Sequence, residues 1–139
     1  MIQELMIINT NGIALFYFNF FSKVKPDLED HQLIASFLDQ IDRITQFELK
    51  RNLHKIEYGD LIFFFFGHPN SDLRIIFKCD ASKLYSTQLM ERSLQLIARN
   101  LLSKFIKRYS NELKNFKGEI SLFKSFTENI DEIFKKRVS

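Results

Sequence analysis

Apolar and polar positions along the chain switch between two periods, and the order of the switches predicts eight elements. Gln3 to Asn9 carries Leu5, Met6, Ile7 and Ile8; Ile13 to Phe21 carries Ile13, Leu15, Phe16, Tyr17, Phe18, Phe20 and Phe21. Thr10-Asn11-Gly12 separates the two runs. Asn-Gly between apolar runs signals a hairpin, because both residues tolerate positive φ. The near-continuous runs suit strands covered on both faces, or on one face plus a partner.

Helical spacing follows Pro26. Asp27 is the expected N-cap, with Glu29 and Asp30 near the positive end of the helix dipole. Leu33, Ile34, Phe37, Leu38, Ile41, Ile44 and Phe47 then recur every three or four residues as one apolar stripe. Asp39, Gln40, Asp42, Arg43 and Gln46 occupy the other side. The spacing predicts a helix laid apolar side down on a sheet, ending near Glu48 to Arg51. On that reading Asp39 and Asp42 belong to a solvated face and need no acid–base role.

A second group of strands comes next. Leu53 to Tyr58 alternates loosely, Gly59-Asp60 turns, and Leu61 to Phe66 gives six apolar residues that read as a central strand. Gly67 to Asp72 has loop chemistry throughout. Leu73 to Cys79 places Ile75, Phe77 and Cys79 on one face and Arg74, Ile76 and Lys78 on the other. A long helix is expected from Lys83 to Asn115, capped by Asp80 or Ser82 and stopped by Lys117-Gly118. Its stripe runs through Leu84, Leu89 or Met90, Leu94, Ile97, Leu101, Phe105 and Tyr109. A last short helix carries Leu122, Phe123, Phe126, Ile130, Ile133 and Phe134.

The order β-β-α-β-β-β-α-α predicts an α/β sandwich. Its mixed five-stranded sheet carries one helix on one face and two on the other, or one of those two along an edge. Residues 1–139 form a single domain, with no linker and no internal repeat.

Composition adds exclusions. The chain is 45% hydrophobic and 27% charged, ordinary for a soluble globular domain, with 16 Phe and no Trp. The Phe content reads as a compositional preference for Phe, Ile, Lys and Asn before it reads as an aromatic ligand site. The apolar run Ile13 to Phe21 is interrupted at Asn19 and too short to span a bilayer. No signal peptide or lipidation box is recognisable, so a cytoplasmic protein is expected. The one cysteine, Cys79, forbids an internal disulfide and fits a reducing compartment.

No catalytic constellation accompanies these elements. There is no phosphate loop and no GxGxxG, and His31, His54 and His68 lack metal-ligand spacing. No enzyme, cofactor or metal is expected. Charge is asymmetric: residues 1–80 hold 8 Lys/Arg against 11 Asp/Glu, and residues 81–139 hold 12 against 6. Arg92, Arg99, Lys104, Lys107, Arg108 and Lys114 place positive charge on the long helix, which reads as a solvated face or a weak contact for an anionic membrane surface or acidic protein. Nucleic acid is not expected, because the aromatics are committed to the core rather than interleaved with the basic residues.

The element order resembles the longin fold, and the resemblance spans nearly the whole chain. Met1 to Asn9 is similar to the opening longin strand, Asn11-Gly12 to its first hairpin turn, and Lys55 to Phe63 to its third strand, turn and fourth strand. The related roadblock fold usually begins with a helix, whereas here a strand comes first. No SNARE-type coiled coil or adaptor domain follows, so a stand-alone longin is expected. The resemblance implies a non-catalytic module that docks a small Ras-like GTPase or pairs with another longin or roadblock subunit, a homodimer included, in a trafficking-type assembly. Pairing in that family commonly uses the first helix and an adjacent sheet edge.

The candidate contacts are Phe16, Phe18 and Phe20 as apolar anchors, with Asp39, Asp42, Arg43 and Gln46 on the first helix. Arg99, Lys107 and Arg108 complete them as a basic surface with peripheral membrane recruitment in view. The competing expectations are a roadblock-like GTPase-regulatory subunit and a sensor that binds a small molecule or lipid between sheet and long helix.

Overall fold

The computed structural model describes residues 2–20, 28–50, 53–83 and 86–138, with side chains of residues 34–50, 86–134 and most of the sheet. The expected cap at Asp27 and the apolar residues Phe21 and Leu84 lie outside the described residues. Five strands, β1 (Ile2–Ile8), β2 (Ala14–Asn19), β3 (Lys55–Tyr58), β4 (Leu61–His68) and β5 (Ser71–Asp80), form one sheet in the order β2-β1-β5-β4-β3. The helices are α1 (Leu28–Glu48), α2 (Thr87–Arg108), α3 (Ser110–Lys114) and α4 (Thr127–Val138).

Every strand pairing is antiparallel, so the sheet is not mixed. Three tight hairpins join β1 to β2, β3 to β4 and β4 to β5, and β1 then pairs with β5, whose direction opposes it. β5 rather than β4 lies at the centre of the order. The loop expected over Gly67 to Asp72 shrinks to Pro69-Asn70, because Gly67 and His68 continue the ladder opposite Arg74 and Ser71. In the first hairpin Gly12 alone takes positive φ, at 76°. The Asn9 side-chain oxygen accepts from the Asn11 and Ile13 amides at 2.9 and 3.0 Å, which closes the loop.

One sheet face carries the main core. Phe64, Phe77 and Cys79 meet Leu94, Leu101, Leu102 and Phe105 of α2. Phe123 and Phe126, in a 3-10 segment (Ile120–Phe126), and Ile130 of α4 complete this layer. The rings pack edge-on, with Phe16 5.3 Å from Phe126 and Phe105 5.0 Å from Phe126. The long C-terminal helix is interrupted at Tyr109, whose φ of −114° is not helical. The Tyr109 ring is buried and its hydroxyl meets Ser125 Oγ at 2.7 Å in a partly buried bond, and the chain turns there into α3. The cap is Ser86, which accepts from the Leu89 amide, and not Asp80 or Ser82; the Asp80 carboxylate instead accepts from the Ser82 amide and hydroxyl.

The opposite face is covered by α1. The arrangement of one helix on one face and the C-terminal helices on the other is as the pattern predicts.

Candidate functional site

α1 lies the other way round from its apolar pattern. Among the described residues the side chains it buries are Ala35, Leu38, Asp39 and Asp42, at i, i+3, i+4 and i+7, which is one helix face. Ile34, Phe37, Ile44 and Phe47 point to solvent, Phe37 62% exposed and Phe47 78%. Ile41 is half-buried between the two sides. Most of the stripe read as the sheet-facing side is therefore outward, Leu38 alone of its described members being buried as expected, and Asp39 and Asp42 are not solvated.

The cause is a charge on the sheet. Arg74 of β5 shares its face with Ile76 and points at α1. Its guanidinium pairs with the carboxylates of both Asp39 and Asp42. Arg43 adds a second cation to Asp39 at 2.8 Å. Burial lowers the Arg74 pKa from its ordinary value, but arginine remains charged at neutral pH. A guanidinium left alone under a helix is expensive, and two carboxylates one turn apart satisfy its fork. Turning the phenylalanines inward would strand Arg74, so the charge dictates which helix face meets the sheet. Gly12 permits the approach: a Cβ there would lie 3.2 Å from Asp39 Oδ2.

Around this latch the packing is thin. Met6, Ile8, Ala14, Phe65 and Ile76 complete a small second cluster with Ala35 and Leu38. α1 packs over β1 and β2 and reaches Arg74 of β5 and Phe65 of β4, so the β3 end of the same sheet face is the least covered. Ile56 belongs to that face, and Tyr58, two residues on, shares it at 77% exposure. Across the pairing, Leu61 and Phe63 are half-buried. β3 is one of the two terminal strands of the sheet order, β2 being the other; it is only four residues long, and no strand pairs with its outer edge among the described residues. An outward apolar helix stripe, a half-covered apolar sheet end and an open strand edge thus occupy one side of the molecule.

The other expected contacts divide. Phe16 is 5% exposed and belongs to the main core, so it is no anchor. Phe18 and Phe20 are half-buried against that core, 4.8 Å apart, with Phe20 4.9 Å from Phe134. Asp42, Gln46 and Arg99, placed on different helices, meet with Arg74 and His54 around a cleft of about 310 Å³. Lys107 is exposed on α2, and Arg108 is tied to Glu128 at 3.4 Å and Asn129 at 2.5 Å. The residues that matter most here, Phe37, Ile44 and Phe47, fall on the core side in the sequence pattern; Arg74, a lone cation in an apolar strand, is the available signal to the contrary.

No protein-family model matches the sequence, and no curated protein sequence matches it. Solved structures do. The gliding protein MglB of Thermus thermophilus matches with a TM-score of 0.50 and 10% identity, over 68% of this chain and 72% of that one. The fold is longin/roadblock-like. A second MglB structure, described as having a tetrameric arrangement, matches at 14% identity over 70% of this chain and 77% of that one, with a TM-score of 0.47. At such identity MglB speaks for the shared fold and not for the stand-alone longin expected from the sequence. Among the described residues no helix is long and apolar enough to cross a membrane, and no group of three potential metal ligands occurs.

Proposed function

We propose that this chain is a non-catalytic pairing module whose α1 surface and β3 edge receive a second longin- or roadblock-type subunit, the pair forming a platform for a small Ras-like GTPase. The observation that carries the reading is the orientation of α1. Four large apolar side chains face solvent while two carboxylates are buried beneath them, the reverse of what an isolated domain gains from. A facing helix would cover that stripe, and an added strand would satisfy the β3 edge. The resemblance to longin domains, where pairing commonly uses the first helix and adjacent edge, supports the partner class.

Sedimentation equilibrium of the purified chain, alone and mixed with longin- and roadblock-type proteins of its genome, tests the pairing. Association lost on Phe37→Asp supports it. A chain that stays monomeric in every mixture refutes it. Calorimetry of the associated species against small GTPases in GDP and GTP forms then tests the platform: nucleotide-dependent binding supports it, and absence of binding in both states refutes it.

The sensor reading finds less support. The space between sheet and α2 is filled by Phe64, Phe77, Phe105, Phe123 and Phe126, all fully buried. Asp39 and Asp42, the buried carboxylates among the described residues, lie on the other side of the sheet.

A further inference from the structure

α2 covers the sheet with its inner face, burying Leu94, Ile97, Ala98, Leu101, Leu102 and Phe105. Its outer face is not simply polar. Leu89 and Leu96 are each 65% exposed, although the sequence pattern offers Leu89 to the core. They stand two turns apart, about 10 Å along the axis. Arg92 lies between them, Arg99 about one turn beyond Leu96 and Lys107 about two turns further, all three exposed on the same face. Glu91 is the single acidic residue between Thr87 and Arg108, against five basic ones. Among the described residues Arg92, Arg99 and Lys107 form no ion pair, whereas Arg108 is neutralised by Glu128.

We infer that the outer face of α2 docks on an anionic lipid bilayer, Leu89 and Leu96 entering the interface while Arg92, Arg99 and Lys107 engage the headgroups. The charge complementarity is direct: a helix surface with unpaired cations and almost no anions meets a negative plane. A protein partner would want contiguous apolar anchors set in a pocket. Separated leucines flanked by long basic side chains suit a bilayer interface instead, which accepts isolated apolar groups wherever they fall. The buried sides of α2 and α1 pack on opposite faces of the sheet, and Arg99, at the cleft it shares with Asp42 and Gln46, marks the border of the basic face. The contact is peripheral and reversible, with no spanning segment required.

The test is co-sedimentation of the full chain with vesicles of phosphatidylcholine alone and of phosphatidylcholine mixed with phosphatidylserine, at low and at high salt. Binding confined to the phosphatidylserine vesicles and released by salt is expected. The double variant Arg92→Glu, Lys107→Glu should lower the partition at least about tenfold. The variant Leu89→Ser, Leu96→Ser should lower it severalfold at unchanged net charge. Both pairs are exposed, so the urea midpoint should not move, and it is measured alongside. Equal binding to neutral vesicles, no binding to either kind, or full binding by the charge-reversed variant would overturn the inference. Binding that survives the leucine change overturns insertion.

Discussion

Arg74 and Asp42 form an ion pair between the central strand and the helix above it, and Asp42 is 3% exposed. The guanidinium holds Asp39 as well. Such a pair contributes less to net stability than its Coulomb energy suggests, because both partners lose water. Removing one partner is a different matter. Arg74→Met leaves two buried carboxylates one turn apart and should destabilise the fold by about 3–5 kcal/mol. Adding Asp39→Leu and Asp42→Leu to that variant should restore most of the loss. Urea unfolding of the single and triple variants checks both statements, and equal midpoints would show that the latch is energetically idle.

Phe37 and Phe47 touch solvent, so their replacement should affect association rather than folding. Phe37→Asp should change the unfolding free energy of the isolated chain by no more than about 0.5 kcal/mol. It should weaken pairing by at least about 2 kcal/mol, roughly thirtyfold, since covering a phenylalanine contributes about that much. Sedimentation equilibrium and urea titration on the same protein separate the two effects. A large stability loss with unchanged pairing would place Phe37 in the core.

Gly12 and Gly59 offer a controlled comparison. Both take positive φ, 76° and 57°, but only Gly12 has a neighbour in range, with Asp39 Cβ 3.3 Å from where its own Cβ would be. Gly59→Ala should cost about 1 kcal/mol from the backbone alone. Gly12→Ala should cost about 1–3 kcal/mol more than that, because it also pushes Asp39 away from Arg74. Thermal or urea unfolding gives the difference directly, and equal losses would mean that the hairpin yields without disturbing the helix.

Cys79 is fully buried, and burial pushes its thiol pKa up to about 11. The neutral thiol is therefore favoured in the fold. Its contribution is complete below the unfolded value of about 8.5 and is lost as pH rises through the folded value. The Tyr17 hydroxyl is shifted in the same direction, by burial first and then by its bond to the Glu4 carboxylate. Stability should be flat from pH 7 to 8 and fall by roughly 3 kcal/mol toward pH 11 from the thiol alone. Cys79→Ala should shallow that decline. A wild-type chain as stable at pH 11 as at pH 7 would contradict the burial effect.

Strand and helix types are legible in the sequence because each run keeps its own period. Asn11-Gly12 marks the position of the first hairpin, and the alternation from Leu73 to Cys79 separates the two faces of β5 correctly. Strand direction is not legible, since short apolar runs look alike whether their neighbours run parallel or antiparallel. The orientation of α1 escapes the pattern for a clearer reason. Amphipathic reasoning assumes that the apolar side seeks the core, and here a single arginine on the receiving sheet reverses the preference. Arg74 stands in plain view between Leu73 and Ile75, but its partners lie some thirty residues upstream, beyond the reach of local pattern. The break at Tyr109 is hidden similarly, because the hydroxyl bond that accompanies it reaches Ser125 in a later segment.

The antiparallel joining of β1 to β5 has a consequence for how the chain reaches this state. β2 and β1 come from the first twenty residues and β3 to β5 from residues 55–80, and only the β1–β5 ladder unites them within the sheet. Roughly seventy residues separate the paired strands, so this closure is entropically late, after the two hairpin units have formed locally. Arg74 is synthesised on the second unit, while the carboxylates that receive it belong to α1, carried with the first. Formation of the ion pair therefore coincides with the meeting of the two halves, and a slow folding phase of the intact chain that Arg74→Met alters while leaving faster phases unchanged would reveal that step.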